Sequence, residues 1–440
     1  MPIKVAELFA GVGGFRLGLD GYRDAGGTGL DAPGAGGFET VWANQWEPDG
    51  RATKQFAWRC YEKRFGEGSC VNEDITKVMD EVEAGERELP DVDMVVGGFP
   101  CQAFSIARPL SRATGLSGDK GTKGVLWFEI HRFLRQKHPR WCLFENVDRL
   151  LKSPASCRGR DFATILCCLA VEGYTVEWRV VNSAEYGFPQ RRKRTFIYAE
   201  RLGDGAPSTD EERLALMNFG VMADALPHSP VTADAVTAID LRHDPYEENH
   251  GFVPGRGGRS PFGGCGVMSG FRVLTCDVEA AYDGERAVLG DVLSDEGDVP
   301  GAYVVDGADL DRWRWLKGSK RERRVTKDGH EWWYSEGAMA FPDLATNPSR
   351  TILTSEGGRS ASRMKHIIEV DGRWRRLVPE ELERLQGFPA GWTDGCGMTD
   401  NQRAFCMGNA LVVGVVRRIG EAIARHAAAA PEGGESVDAG

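Results

Sequence analysis

The rhythm of the first two hundred residues constrains this chain more than any other feature. Short apolar runs at 4–9, 40–44, 94–97, 141–145, 174–181 and 195–200 alternate with stretches of helical spacing at 49–65, 125–137 and 161–171. Four- to eight-residue apolar runs read as strands, and apolar residues recurring every three or four positions read as helices. Their alternation predicts an α/β fold, a doubly wound sheet with helices on both faces. Residues 26–37 are glycine-rich and read as a surface insertion before the second strand. Beyond about residue 202 the rhythm breaks into Gly-, Asp- and Pro-rich sequence, and helical spacing returns only at 379–386 and 408–426. The expected organisation is a first domain from 1–202 plus 404–428, and an irregular second domain with its hinge from 203–403. A disordered tail is expected at 429–440, its Ala/Gly/Glu-rich composition starting at 427.

Composition narrows the class. The 440 residues are 41% hydrophobic and 27% charged, as in a soluble globular protein. No run of eighteen apolar residues suggests a membrane span, and the N-terminus has no basic segment leading into an apolar one, so a cytoplasmic protein is expected. The 11 cysteines are scattered, with no CxxC pair, so no metal site is expected and most should be reduced, buried, small apolar residues. A net charge of −11 argues mildly against nucleic acid, but the average hides a basic stretch. Arg312, Arg314, Lys317, Lys320, Arg321, Arg323, Arg324 and Lys327 crowd together, interleaved with Trp313 and Trp315 and followed by Trp332. By composition alone that stretch is equally a solvated loop.

Four local patterns carry chemistry. In the segment Phe9-Ala10-Gly11-Val12-Gly13-Gly14 a strand runs into a glycine-rich turn and then a helix, the arrangement that lets backbone approach a nucleoside-type cofactor. It lacks the third glycine of a dinucleotide turn, where Arg16 stands instead. Gly98-Phe99-Pro100-Cys101-Gln102 follows a strand end, where ligands of open α/β sheets sit and where a cysteine can act as nucleophile. Glu145-Asn146-Val147 ends another apolar run and points a carboxyl into the same crevice, as a proton donor to a base ring. Gln190, Arg192 and Arg194 alternate along a strand start and should share a face suited to phosphate or base oxygen. Bland readings exist for each: a tight turn, a structural cysteine, a helix-capping carboxylate, a charged edge.

Taken together and in this order, the motifs resemble the DNA cytosine-5 methyltransferase family. The likeness runs over about residues 3–200 and 345–425, and includes Glu73-Asp74-Ile75-Thr76, the segment from Arg376 to Pro389, and Gly408-Asn409-Ala410. It implies a Rossmann-like methyltransferase sheet, S-adenosylmethionine as cofactor and double-stranded DNA as substrate. The catalytic set would be Cys101, Glu145, Arg192 and Arg194. Cofactor contacts would come from Phe9, Gly11, Gly13, Gly14, Gln45, Trp46, Asp74, Ile75, Gly98, Pro100, Leu126, Asn409 and Ala410. A mobile loop over about 102–123 would close on DNA through Gln102, Ala107 and Lys123. The irregular region would be the target-recognition domain, meeting DNA through Arg321, Arg323, Arg324 and Thr351. The family often carries an acid where Gln45 stands, gripping the cofactor ribose, and Glu47 is a candidate substitute. A monomer is expected, with a cognate restriction or defence system as candidate partner. Three rival readings stay open at this stage: a tRNA cytosine-5 methyltransferase, a catalytically inactive DNA-binding regulator, and an NAD-dependent oxidoreductase, the last disfavoured by the glycine spacing.

Overall fold

The computed structural model describes residues 1–24, 26–27, 29–48, 54–99, 126–326 and 328–429. The expected loop at 102–123, with Pro100, Cys101, Gln102, Ala107 and Lys123, lies outside these residues, as do Lys327 and the tail beyond 429. In chain order the first half holds β1 (Ile3–Leu8), α1 (Gly14–Leu19), β2 (Phe38–Asn44), α2 (Phe56–Phe65), α3 (Ile75–Glu83), β3 (Met94–Gly98), α4 (Leu126–Lys137), β4 (Trp141–Val147), α5 (Arg160–Val171), β5 (Thr175–Asn182) and β6 (Lys193–Glu200). The second half holds α6 (Asp210–Phe219), α7 (Val221–Ala225), β7 (Thr237–Asp240), α8 (Pro245–Gly251), β8 (Cys265–Ser269), β9 (Arg272–Cys276), α9 (Gly307–Lys317), β10 (Lys320–Val325), β11 (Glu331–Glu336), β12 (Ile368–Val370), β13 (Arg373–Arg375), α10 (Pro379–Leu385), α11 (Asp400–Asn409) and α12 (Val413–Ala429).

Nine strands form one sheet in the order β2-β1-β3-β4-β6-β5-β8-β9-β7. β2, β1, β3 and β4 run parallel, and from β6 onward every pairing is antiparallel. Alternation along each strand divides the apolar side chains between two faces. Val5, Met94, Val96 and Leu143 join the cluster formed with α1, α2, α10, α11 and α12. Ala6, Leu8, Val95, Cys142 and Phe144 join the cluster formed with α3, α4 and α5. The doubly wound α/β expectation therefore holds. The chain passes from β1 to β2 on one side and to β3 on the other, so the crevice where the strand order reverses lies at the C-terminal ends of β1 and β3.

The sheet runs past the expected boundary at 202/203: β8 pairs with β5, and β9 and β7 extend that edge. The helix expected over 408–426 is two helices. Ala410 is extended at ψ 157°, and Gln386 Nε2 donates to the carbonyls of Met407 (2.6 Å) and Ala410 (3.2 Å), holding the break open. α12 carries helix through Ala429, the first residue of the expected tail. No described helix is long and apolar enough to cross a membrane.

Part of the irregular region is an exposed antiparallel hairpin, β10–β11, whose two strands pair with Arg321 opposite Ser335 and Arg324 opposite Trp332. Arg363 pins its base, donating to the carbonyls of Leu316 and Gly318, each at 3.1 Å, and to Gly337 O.

Candidate active site

β1 delivers the chain to the crevice, and the Phe9–Gly14 turn opens α1. Phe9, Gly11 and Gly13 all have positive φ, at 56°, 57° and 86°, and Phe9 bears that conformation without being glycine. A Cβ on Gly13 would stand 2.3 Å from Phe65 Cε2, so only glycine closes the turn against α2. At Gly11 no described residue lies within 4 Å of where a Cβ would be, which leaves room on the ligand side of the turn. Glu7, fully buried, clamps the turn from below. Its Oε1 accepts from the backbone of Phe15 (3.2 Å) and Arg16 (3.4 Å), and its Oε2 accepts from the Tyr61 hydroxyl at 2.9 Å. Burial pushes the Glu7 carboxyl up to about 7, with Tyr61 and Arg16 pulling the other way.

Gln45 follows β2 into the same crevice. Its Oε1 accepts the Gly11 N–H at 2.8 Å and its Nε2 donates to Glu47 Oε1 at 3.3 Å. The amide expected at the cofactor ribose is thus engaged in holding the turn, a task its acceptor oxygen performs without charge. Trp46 and Glu47 stand half-buried beside it. Asp74 caps α3 through Thr76 N at 3.0 Å, ahead of buried Ile75. Leu126, first residue of α4, and Ala410 are half-buried, and Asn409 is exposed at the end of α11.

The reactive rim lies at the ends of β3 and β4. Glu145 is 8% exposed, and its Oε2 stands 3.3 Å from where a Cβ on Gly98 would be. Asn146 Nδ2 donates to Phe99 O at 2.8 Å, fastening the exit of β3 immediately before Pro100 and Cys101. Arg194 Nε lies 2.7 Å from Glu145 Oε1 as an ion pair, off the line of an N–H hydrogen bond, so that oxygen has no hydrogen-bond partner among the described residues. Gln190 and Arg192 are buried, Arg194 is half-buried, and Arg191 and Lys193 are exposed, so the expected shared face is present. Arg192 is fully buried, and one nitrogen, Nη2, donates to Gly408 O at 2.9 Å. Its Nε and Nη1 lack partners among the described residues. Burial, with Arg194 beside it, drives the Arg192 guanidinium well below its usual range. An arginine buried with two open donors is costly unless another group completes it.

The structure separates other expected residues from this rim. Thr351 turns its hydroxyl to Arg191 O at 2.6 Å, on the segment that docks beside the pocket arginines. Arg321, Arg323 and Arg324 stand on the hairpin, on two faces of it. Lys317 is fully buried on Asp343 at 2.9 Å and cannot meet phosphate. Spacing alone missed Asn146, whose role needs Phe99 beside it, and Trp392, whose Nε1 donates to Val12 O at 2.9 Å. Among the described residues no cluster of three His, Cys, Asp or Glu could hold a metal. The ten described cysteines are all free.

A turn open to a nucleoside cofactor, a carboxyl at the end of β4 and paired arginines facing it now stand on one rim. The model of the C-5 cytosine-specific DNA methylases matches residues 3–242 and 293–425. The chain belongs to this family. It is a DNA cytosine-5 methyltransferase. This methylase is 42% identical over 96% of its length to the Type II methyltransferase M.Sau3AI of Staphylococcus aureus, covering 95% of that protein. It is 31% identical to the Type II methyltransferase M.HhaI of Haemophilus parahaemolyticus over 45% of this chain and 49% of that one. The fold is shared with a DNMT2 structure from Spodoptera frugiperda at a TM-score of 0.55 and 14% identity, over 96% of this chain and 99% of the other. The family match omits 243–292, the stretch that supplies β8 and β9.

Proposed function

We propose that the enzyme methylates C5 of a cytosine rotated out of duplex DNA, through a transient bond between Cys101 and C6. The observation that carries this reading is Glu145 held at the end of β4, against Gly98 and Arg194, one residue from the Asn146–Phe99 bond that fixes the approach to Cys101. The Cys101 thiolate adds to C6, while Glu145 as the acid gives a proton to N3, so electrons reach C5 without building charge on the ring. S-adenosylmethionine, when bound, supplies an electrophilic methyl group to C5. Loss of the C5 proton then restores the double bond and expels Cys101 as thiolate. The residues fit such a cofactor: Gly11 is open where a side chain would otherwise stand, and the Phe9–Gly14 backbone presents the start of α1. Phe9, Gly11, Gly13, Gly14, Trp46, Asp74, Ile75, Gly98, Pro100, Leu126, Asn409 and Ala410 would hold it, with Gln45 supporting the turn. The open donors of Arg192 and the guanidinium of Arg194 suit the base oxygen and the flanking phosphate. A stacked base hides C6, so the cytosine must leave the helix, at a cost of a few kcal/mol recovered in the pocket.

Duplex DNA is favoured over tRNA by the full-length likeness to a Type II methyltransferase. That likeness also supports a cognate restriction system and a cytoplasmic location. Bisulfite sequencing of plasmid DNA from cells expressing the chain tests activity and reveals the site together. One cytosine within a fixed short sequence should resist conversion; uniform conversion overturns the reading and favours the inactive regulator.

The hairpin is the proposed recognition ribbon, since a two-stranded β-ribbon fits the major groove. Arg321 lies 4.9 Å from the Trp333 ring on one face, where Arg323 also pairs with Glu331; Arg324 lies 3.8 Å from the Tyr334 ring on the other. The three arginines therefore do not act as one block. Replacing Arg321 and Arg323 by Ala together, or Arg324 by Ala, should weaken duplex binding unequally. The salt slope should flatten by roughly one unit per lost phosphate contact on the face that meets DNA. Titrations at several salt concentrations read this, and unchanged affinity and slope in both variants would return the hairpin to an ordinary solvated ribbon.

A further inference from the structure

Outside the reactive rim, His366 is a buried polar group held at both ring nitrogens. It is fully buried, with Ser349 and Glu356 each 3% exposed beside it. His366 Nδ1 lies 2.9 Å from Glu356 Oε1, and Nε2 lies 3.1 Å from Ser349 Oγ. The order is that of a hydrolytic triad, but all three groups are closed off, and the Ser349 hydroxyl gives its proton to Arg350 O at 2.7 Å. Because that hydroxyl gives its one proton to Arg350 O, it offers Nε2 an acceptor. Burial opposes ionisation of Glu356, yet His366 holds its carboxyl below the usual range.

The clamp sits where two parts of the protein meet. Ser349 N donates to Pro189 O at 2.8 Å, and Arg191 N donates to Ser349 O at 2.7 Å. Ile352 N donates to Gln190 Oε1 at 3.0 Å. These bonds hold the segment that leads into β6 and presents Arg192, while β4 and β5 pair with β6 itself. A slip of one residue would bring Arg191 and Lys193 inward in their place. On the other side, Ile367 N donates to Asp343 Oδ2 at 3.0 Å, and Asp343 also holds Lys317, at the end of α9 and three residues before β10.

We propose that His366, clamped between Glu356 and Ser349, is a positioning residue that sets segment 349–352 against Pro189–Arg191 and so ties the recognition hairpin to the arginines of the base pocket. The proposal rests on the base-rotation reading above. His366 does not touch substrate; it acts through Ser349 on Arg192 and Arg194. Its loss should leave DNA affinity largely intact and impair what happens after binding.

The test uses the full chain with Ser349→Ala, His366→Gln and the double variant, on a duplex bearing the sequence found in plasmid DNA. Anisotropy reads duplex affinity, single-turnover kinetics at saturating DNA read methyl transfer, and 2-aminopurine at the target position reads rotation of the base. Expected are affinities within about twofold of wild type, a rate lowered on the order of ten- to a hundredfold, and a weaker 2-aminopurine signal. The double variant should lose little more than the worse single, because both break one clamp. Melting curves accompany each variant, and if His366→Gln fails to fold, Ser349→Ala decides alone. An unchanged rate, or a loss that follows the folded fraction or duplex affinity, overturns the proposal. If wild type binds and gives no 2-aminopurine signal, the base-rotation reading falls and this inference with it. If wild type gives the signal and Ser349→Ala matches it in signal and rate, the inference alone falls.

Discussion

A duplex carrying 5-fluorocytosine at the target position should be trapped on the wild-type enzyme as a denaturation-stable adduct when S-adenosylmethionine is present, and Cys101→Ala should abolish that adduct entirely. The reason lies in the last step. After Cys101 has added to C6 and C5 has been methylated, release requires loss of a proton from C5. Fluorine cannot leave as a proton, so the C6–sulfur bond persists. Without methyl transfer the addition is reversible, so omitting the methyl donor should leave no stable adduct. Denaturing electrophoresis of labelled duplex reads the result. Binding of the unmodified duplex by Cys101→Ala should survive, because the residues proposed to read the sequence lie in another segment of the chain. If the wild type methylates ordinary cytosine without trapping the fluorinated base, or if Cys101→Ala still traps it, another group is the nucleophile.

Glu145→Gln should lower the rate of methyl transfer by about two to four orders of magnitude, the span general acid groups typically contribute. The amide keeps the shape of the carboxyl, which lies 3.3 Å from the Gly98 Cβ position, so packing should be conserved. It removes the carboxyl proton proposed to reach N3, and it removes the ion-pair partner that the ionised carboxyl offers Arg194 at 2.7 Å. Single-turnover kinetics at saturating DNA and cofactor isolate this effect, and calorimetry of cofactor binding should show little change. A variant within a few-fold of wild type would remove Glu145 from the chemistry and leave it as the partner that orients Arg194.

Much of the fold was determined by the sequence alone, because a sheet with helices on both faces writes itself as a change of period. Apolar runs at 4–9, 94–97 and 141–145 became β1, β3 and β4, and the turn after β1 was legible because glycines mark a bend that side chains resist. Strand ends in such a sheet point to one crevice, so Glu145 and the approach to Cys101 could be placed beside each other from spacing. What the tertiary structure decided depends on pairings between distant segments, which no local period encodes. Arg192 meets Gly408, 216 residues away, and Trp392 meets Val12, 380 residues away. Gly408 itself must be glycine because a Cβ there would lie 2.4 Å from the backbone nitrogen of Thr354, an approach visible only once both segments are packed. The same holds for β7, β8 and β9, which resembled irregular sequence yet extend the sheet from β5, β8 on β5, β9 on β8 and β7 on β9, through backbone groups that any residue carries. Lys317 and Arg321 share one basic stretch, but burial on Asp343 separates the first from solvent and a hairpin exposes the second. Charge in a sequence states how much there is; the fold decides which of it faces a partner.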